Sequence, residues 1–595
     1  MSDQQTRILD QLVRLRNDGR LSRRQFVKLT SGGVGLAAMS AVVAACGSEP
    51  DSPTATTSSS GAADPTNTVE TFSGGSTGLA TKEATPEATA EATAAATEAA
   101  ASATTGTASG TPKMGGKLIS ALDTNPVGID PHTGSSFAGQ MVFEQVYDTL
   151  FEFTPTLEIV PALATNLEVI DDLTYKITIR DDVTFHNGRK FVAEDVKYSI
   201  ERAADASIGS VRAAWYTPLD GIEAPDETTV IVNLKSAFAP LVSYMAMPGS
   251  AMIPREVVEE HGDLTAVAVG TGPMMLEKFQ NNEYALLKKF ADHWREGIPL
   301  VDEHEIRIAT DEQSRVAAIR AKEHDFSRMF DPQNAWTLEK EGFKLFKGLT
   351  ASRPLTVINC RQGPLSDKRV RQALSWAIDR QAMMETTIFG DGVLSGYIPV
   401  ADETWGVPVS EFEPYSGPDL DRARSLLAEA GYPDGFECVM KASPQYAFDL
   451  SNGQIMQQQL AAIGVNMKIE QLEWGNLLDT YRSTRDFDLL NIILTYSPDP
   501  DGYMYDLLHS ASTTNHAGIA DPQLDDLLER GRTTVDLEER KKIYREAQLL
   551  LENDLCPILT TFEYNQYWPA QPYVMDYKTI PSISRIYMRD IWLDK

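Results

Sequence analysis

At 595 residues the chain is too long for one hydrophobic core and is expected to fold as two or three lobes. Its formal charge of -31 and pI near 4.7 argue against nucleic acid as a partner. The charge is uneven: residues 1–45 carry a net +4, residues 46–113 a net -6 and the remainder a net -29. That pattern fits a soluble acidic body behind a basic leader.

Ser22-Arg23-Arg24-Gln25-Phe26-Val27-Lys28 precedes a weakly apolar run from Gly32 to Ala45. Roughly fourteen residues is too short for a membrane span, which needs about twenty, and suits the apolar part of a signal peptide. Arg23 and Arg24 resemble the pair of a twin-arginine export signal of the form S-R-R-x-F-L-K, with Val27 in place of Leu. The run ends Val43-Ala44-Ala45-Cys46, similar to a bacterial lipobox. The resemblance implies removal of residues 1–45 and a diacylglyceryl group on Cys46, placing the body outside the cytoplasmic membrane and anchored to its outer face. Residues 46–114 are mostly Ala, Thr, Ser, Glu, Pro and Gly, with Phe72 the lone aromatic. Such a segment cannot bury enough apolar surface to fold and reads as a tether; about 65 residues of flexible coil span on the order of 45 Å.

The folded part opens with a strand at Gly116–Leu122, then Asp130-Pro131-His132, then Phe143, Val146, Tyr147, Leu150 and Phe151 at helical spacing. In Pro161–Arg202, Tyr175, Ile177 and Ile179 alternate with Lys176, Thr178 and Arg180, the period of a half-buried strand. Val183 and Phe185 begin a second short strand, and Asn187-Gly188 supplies a turn able to hold positive φ. From Ala193 the period changes: Val196, Ser199, Ile200 and Ala203 lie on one helical face. Val192 is a poor N-cap, so Asp195 or the backbone must serve there. Further on come the turn cluster Gly270-Thr271-Gly272-Pro273, a helix at Asp367–Arg380, a helix closed by Gly431 before Pro433-Asp434-Gly435, and helices over 525–534 and 537–553.

PALA, the Arg180-Asp181 pair, FHNG and AEDVKYSIER together resemble the signature of the family 5 extracellular solute-binding proteins, receptors of ABC importers for peptides, nickel and oligosaccharides. GTGP, DKRVRQALSWAIDR and AEAGYPDGF extend the likeness over nearly all of 115–595. The resemblance implies an α/β, two-lobe periplasmic-binding-protein-like clamp, type II and cluster C-like, with an extra subdomain in lobe I. Lobe I would take 115–150, 268–358 and 566–595, the subdomain 151–267 and lobe II 359–565. Alternating strands and helices by themselves say only α/β.

No GxxxxGK[ST], GxSxG or HExxH occurs, the eight His have no tight metal spacing, and no CxxC is present. No catalytic residue, cofactor or metal is therefore expected. Cys360, Cys438 and Cys556 permit at most one bridge, with free buried thiols the equal alternative.

Recognition needs apolar and aromatic walls with a few oriented polar groups. The family's peptide receptors anchor the ligand amine on an Asp three residues before an acidic-Pro pair. Counting back from Asp499-Pro500 lands on Tyr496, or on Ser497 with one insertion. Dipeptide receptors have a carboxylate-binding Arg where this chain reads Ser443-Pro444-Gln445-Tyr446. Two readings stay open: a shifted loop anchoring the solute through Asp499 or Asp501, or a neutral, sugar-like solute stacked on Tyr446, Trp474 and Tyr496. The same resemblance puts Ser135 where an acid sits, Phe137 at a backbone contact and Asn491 where an Arg would stand.

The function implied is a substrate-binding lipoprotein that closes by hinge motion on a peptide or other small solute. It would deliver the solute to ABC permease and ATPase subunits, acting as a monomer and not as an enzyme. The alternatives are an oligosaccharide receptor of the same family, a lipid-anchored extracytoplasmic hydrolase, and a signalling sensor on the same fold.

Overall fold

The computed structural model describes residues 111–595 except 127, 135, 495–496 and 582–587. Arg23, Arg24, Cys46 and nearly all of the expected tether lie outside the described residues, as do Ser135 and Tyr496. Among the described residues no helix is long and apolar enough to cross a membrane.

The Pro161–Arg202 unit sits in a four-stranded antiparallel sheet. Thr174–Ile179 pairs with Ala164–Asp171 on one side and Thr229–Leu234 on the other, and Leu219–Glu223 completes the sheet. Tyr175, Ile177 and Ile179 are buried, as their period of two requires. The expected second strand at Val183–Phe185 shrinks to one bridge between Thr184 and Lys190, because the turn at Gly188, with φ +83°, reverses the chain so tightly. Helix Ala193–Ala204 begins without a side-chain cap from Val192. Instead Asp195 Oδ2 accepts from the Val192 amide at 3.0 Å, and Arg189 holds the same carboxylate at 3.0 and 2.6 Å.

Two more sheets form the lobes. The larger runs, in spatial order, Lys344–Leu349, Phe562–Ala570, Phe326–Ser327, Lys117–Leu122, Glu303–Ile308, Tyr284–Lys289 and Met274–Gln280, with Gly392–Leu394 added beside Phe562. The other runs Val465–Gln471, Phe436–Ala442, Leu489–Leu494, Arg353–Ile358 and Ile558–Thr560. In the second sheet Phe436–Ala442 and Val465–Gln471 are parallel and joined by helix Ala447–Ala461, a βαβ unit. Its two faces feed separate cores. Leu355, Val357, Leu490 and Ile492 pack with the helices Pro522–Thr533 and Leu537–Leu550; Ile358, Met440 and Leu489 pack with Lys368–Ala377 and Ala447–Ala461. The chain passes from the first sheet to the second at 350–352, touches the first again at Gly392–Leu394, and returns to it at 561.

The quoted motifs meet in space. Arg202, closing helix Ala193–Ala204, donates to Asp130 of Asp-Pro-His at 2.6 and 3.1 Å, and this pairing holds the Asp130 carboxyl down against the effect of burial. The Gly272 amide donates to Val146 O at 2.9 Å, and a Cβ at Gly270 would collide with that same carbonyl. Cys360, Cys438 and Cys556 are free, and burial is the first cause that raises each thiol above its ordinary value.

Candidate ligand-binding site

In open α/β sheets ligands gather at the carboxyl ends of strands, and the second sheet presents three such ends together. Strand Phe436–Ala442 leads to Tyr446, strand Val465–Gln471 to Trp474, and strand Leu489–Leu494 carries Asn491. The Tyr446 ring lies 5.3 Å from Trp474, edge to face, and 5.9 Å from Phe448 in a stacked arrangement. Phe448 in turn lies 5.0 Å from Tyr564, on the strand that returns to the first sheet. Asn491 is buried and committed inward: it accepts from Thr356 Oγ1 at 2.6 Å and donates to Asp449 O at 2.9 Å.

The opposing wall comes from the first sheet. Buried Arg328 follows the strand Phe326–Ser327, and its guanidinium lies over the rings of Phe137 at 4.7 Å and Phe330 at 4.5 Å. Phe330 meets Tyr446 across the gap at 5.6 Å. Burial, then Asp123, pushes the Tyr446 hydroxyl up to about 12, and Asp449 adds to the shift while Arg328 opposes it. The same three charged groups act on the Tyr564 hydroxyl, raised chiefly by burial. The cleft thus holds an aromatic cage, one cation and two acids. Asp123 Oδ1, Arg328 Nε and both oxygens of Asp449 have no hydrogen-bond partner among the described residues.

The loop after Asn491 goes elsewhere. Asp499 is buried and accepts from both terminal nitrogens of Arg540 at 2.7 Å, and from Ser243 Oγ at 3.1 Å. Asp501 is buried and accepts from Arg532 at 2.7 and 2.8 Å and from Tyr244 OH at 3.1 Å. Burial pushes the Asp501 carboxyl up, and Arg532 pulls it back. Ser243 and Tyr244 belong to helix Leu241–Ala246, which shares its core with the four-stranded sheet; the Ala239 amide adds a bond to Arg532 O at 2.9 Å. Half-buried Ser497 borders this seam, since a Cβ at Gly502 would meet both Ser497 Oγ and Tyr244 OH near 3 Å. Asp499 and Asp501 are therefore already neutralised by arginines, in a seam that joins the second sheet's helices to the four-stranded sheet.

Of the residues singled out from the sequence, Phe137, Tyr446, Trp474 and Asn491 come together at the cleft; Ser497, Asp499 and Asp501 collect at the seam. Sequence reasoning missed Asp123, Arg328, Phe330, Phe448, Asp449 and Tyr564. Asp449 sits three residues past Tyr446, in the first turn of a helix where an acid is ordinary, so nothing local marks it. Arg328 and Phe330 flank a two-residue strand too short for a periodic signal.

The model of "Bacterial extracellular solute-binding proteins, family 5 Middle" matches residues 158–515, more than half of the chain. The glutathione-binding protein GsiB of Salmonella typhimurium strain LT2 is 29% identical over 444 residues, covering 72% of this chain and 86% of the relative. Among solved structures, AgaA of A. tumefaciens R10 in complex with agropinic acid superposes with a TM-score of 0.69 at 27% identity, over 81% of this chain and 99% of that one. DppA of Helicobacter pylori in complex with the peptide STSA gives 0.70 at 24% identity, over 81% and 99%; at that identity it speaks for the two-lobe fold alone. With its signature motifs in mutual contact and an aromatic cleft between its lobes, the chain belongs to the bacterial extracellular solute-binding proteins of family 5.

Proposed function

We propose that the chain is an exported, lipid-anchored receptor that captures a small solute between its lobes and delivers it to the permease and ATPase subunits of an ABC importer. It releases the solute unchanged. The observation that carries this reading is the pair of facing walls, Phe137, Arg328 and Phe330 against Tyr446, Phe448 and Trp474. The relative named for glutathione supports a peptide-like solute. An oligosaccharide is the second reading, favoured by the contiguous rings of Tyr446, Phe448 and Trp474. The lobe boundaries at 115–150, 151–267, 268–358, 359–565 and 566–595 belong to this proposal, as does a monomeric receptor held by a Cys46 lipid through the 46–114 tether after export through Arg23 and Arg24.

Thermal unfolding of the full chain with di- and oligopeptides, glutathione, cello- and xylo-oligosaccharides and nickel tests the reading. One solute class is expected to raise the midpoint, by mass action about 2.7 kcal/mol at a hundredfold excess over Kd. Cleavage products accumulating in place of a shift would restore the hydrolase. Cys46→Ser is expected to move the exported protein from the detergent phase to the aqueous phase on phase partition; unchanged partition would sink the anchor.

A further inference from the structure

Asp449 is the third residue of helix Ala447–Ala461 and is fully buried, yet neither of its carboxylate oxygens has a hydrogen-bond partner among the described residues. The other buried acids show what this position lacks. Asp130 has Arg202, Asp148 has Trp294 and Thr271, and Glu563 has the amides of Val400 and Ala401. Folded proteins seldom leave a buried carboxylate unsatisfied, since removing it from water without a partner is strongly unfavourable. The cations nearby in sequence and sheet are spent elsewhere: Lys441 on Asp486, Lys468 on Glu437, and Arg380 on Ser375 and Thr560. Asp123, on the opposite wall, stands in the field of Arg315. Arg328 faces Asp449 from the opposite wall and acts on the same Tyr446 and Tyr564 hydroxyls, but its guanidinium lies over Phe137 and Phe330 and makes no hydrogen bond to either Asp449 oxygen.

We propose that Asp449 anchors a protonated nitrogen of the solute, an ammonium or a guanidinium, seated among the rings of Tyr446, Phe448 and Tyr564. The proposal rests on the receptor reading above and names the class of solute. Aromatic faces attract cations, and the charge of Asp449 acts on both the Tyr446 and Tyr564 hydroxyls, which places the three at one end of the cleft. Asn491 Nδ2, bonded to the Asp449 carbonyl, pins the first helical turn so that the carboxylate is presented in one position. The helix N-terminus favours the carboxylate form once a cation arrives. Burial pushes the Asp449 carboxyl up to about 8, which favours its protonated form near pH 7. Binding then replaces that proton: the O–H bond of Asp449 breaks, the proton leaves to buffer, and the carboxylate pairs with the cationic nitrogen. The amine anchor is thereby moved from the loop at 496–501 to the start of a helix on the preceding βαβ unit.

The test uses the full chain and its Asp449→Asn variant with glutathione, Ala-Ala and N-acetyl-Ala-Ala as probes. A free-amine probe is expected to bind the wild type with proton release near pH 7, read by titration calorimetry in buffers of different ionisation enthalpy. Its N-acetylated form, and the Asn variant, should bind at least tenfold more weakly without that release. Equal binding of free and acetylated probes to both proteins would overturn the anchor while leaving the receptor reading intact. Should no probe bind the wild type, the melting curves of the unliganded proteins decide. Wild type falling below the Asn variant as pH rises from 5 to 9 supports an uncompensated carboxylate, and parallel curves overturn it.

Discussion

Two acidic sites lie within about fifty residues of each other on the second lobe, and they are built on opposite terms. At the seam, Asp499 and Asp501 each face an arginine in bidentate contact and a hydroxyl from helix Leu241–Ala246. At the cleft, Asp449 is as deeply buried and faces nothing that donates to it. A paired buried carboxylate is part of the fold, because removing either partner strands the other charge. An unpaired one is not accounted for by the fold and is a candidate for recognition. The seam acids carry the sequence context that made them candidates for ligand binding; the cleft acid carries the physical condition for it.

Breaking the seam is the largest test of this contrast. Arg540→Ala leaves Asp499 buried without its counter-charge, with Ser243 Oγ and the Asp501 amide as its remaining donors, and also removes packing on the rings of Trp405 and Tyr544. We expect a loss of about 3–5 kcal/mol in chemical denaturation; a loss under about 1 kcal/mol would mean that the pair is not structural. Asp449→Asn is expected to act in the other direction, and only at high pH. Burial pushes the folded carboxyl up to about 8, well above the ordinary aspartate range, so native protein holds the proton that unfolded chain releases. Stability of the wild type is therefore full below about pH 4 and falls as pH rises through about 8. The Asn variant should match the wild type near pH 4 and exceed it at pH 9 by on the order of 2–5 kcal/mol. Tyr244→Phe removes one hydroxyl from buried Asp501 while Arg532 remains, for an expected cost of about 1 kcal/mol. Ser243→Ala does the same at Asp499, where Arg540 still satisfies both oxygens, and about 0.5 kcal/mol is expected. Equal losses for Tyr244→Phe and Arg540→Ala would show that the hydroxyls, and not the guanidiniums, hold the seam.

Much of the fold was legible in particular residues. The alternation of Tyr175, Ile177 and Ile179 did specify a strand, and the weak cap at Val192 did require Asp195. Phe137, Tyr446, Trp474 and Asn491, read from four separate stretches, do lie near one another, with Asn491 turned inward behind the rings. The strand expected at Val183–Phe185 failed because a tight Asn-Gly turn leaves room for a single bridge. The fate of Asp499 and Asp501 was not legible: their arginines lie 41 and 31 residues later and their hydroxyl partners more than 250 residues earlier. The solitude of Asp449 was equally hidden, since it is defined by charges that fold away from it.

What the sequence alone determined is whatever depends on near neighbours: strand and helix periods, turn glycines, helix caps, and the motifs by which the family is known. These follow from backbone sterics and from side chains three or four residues apart. What only the tertiary structure decided is which acids are paired. Coulombic and hydrogen-bond partners act over a few ångströms of space whatever their separation along the chain, so identical Asp residues became a seam at 499 and 501 and an open anchor at 449.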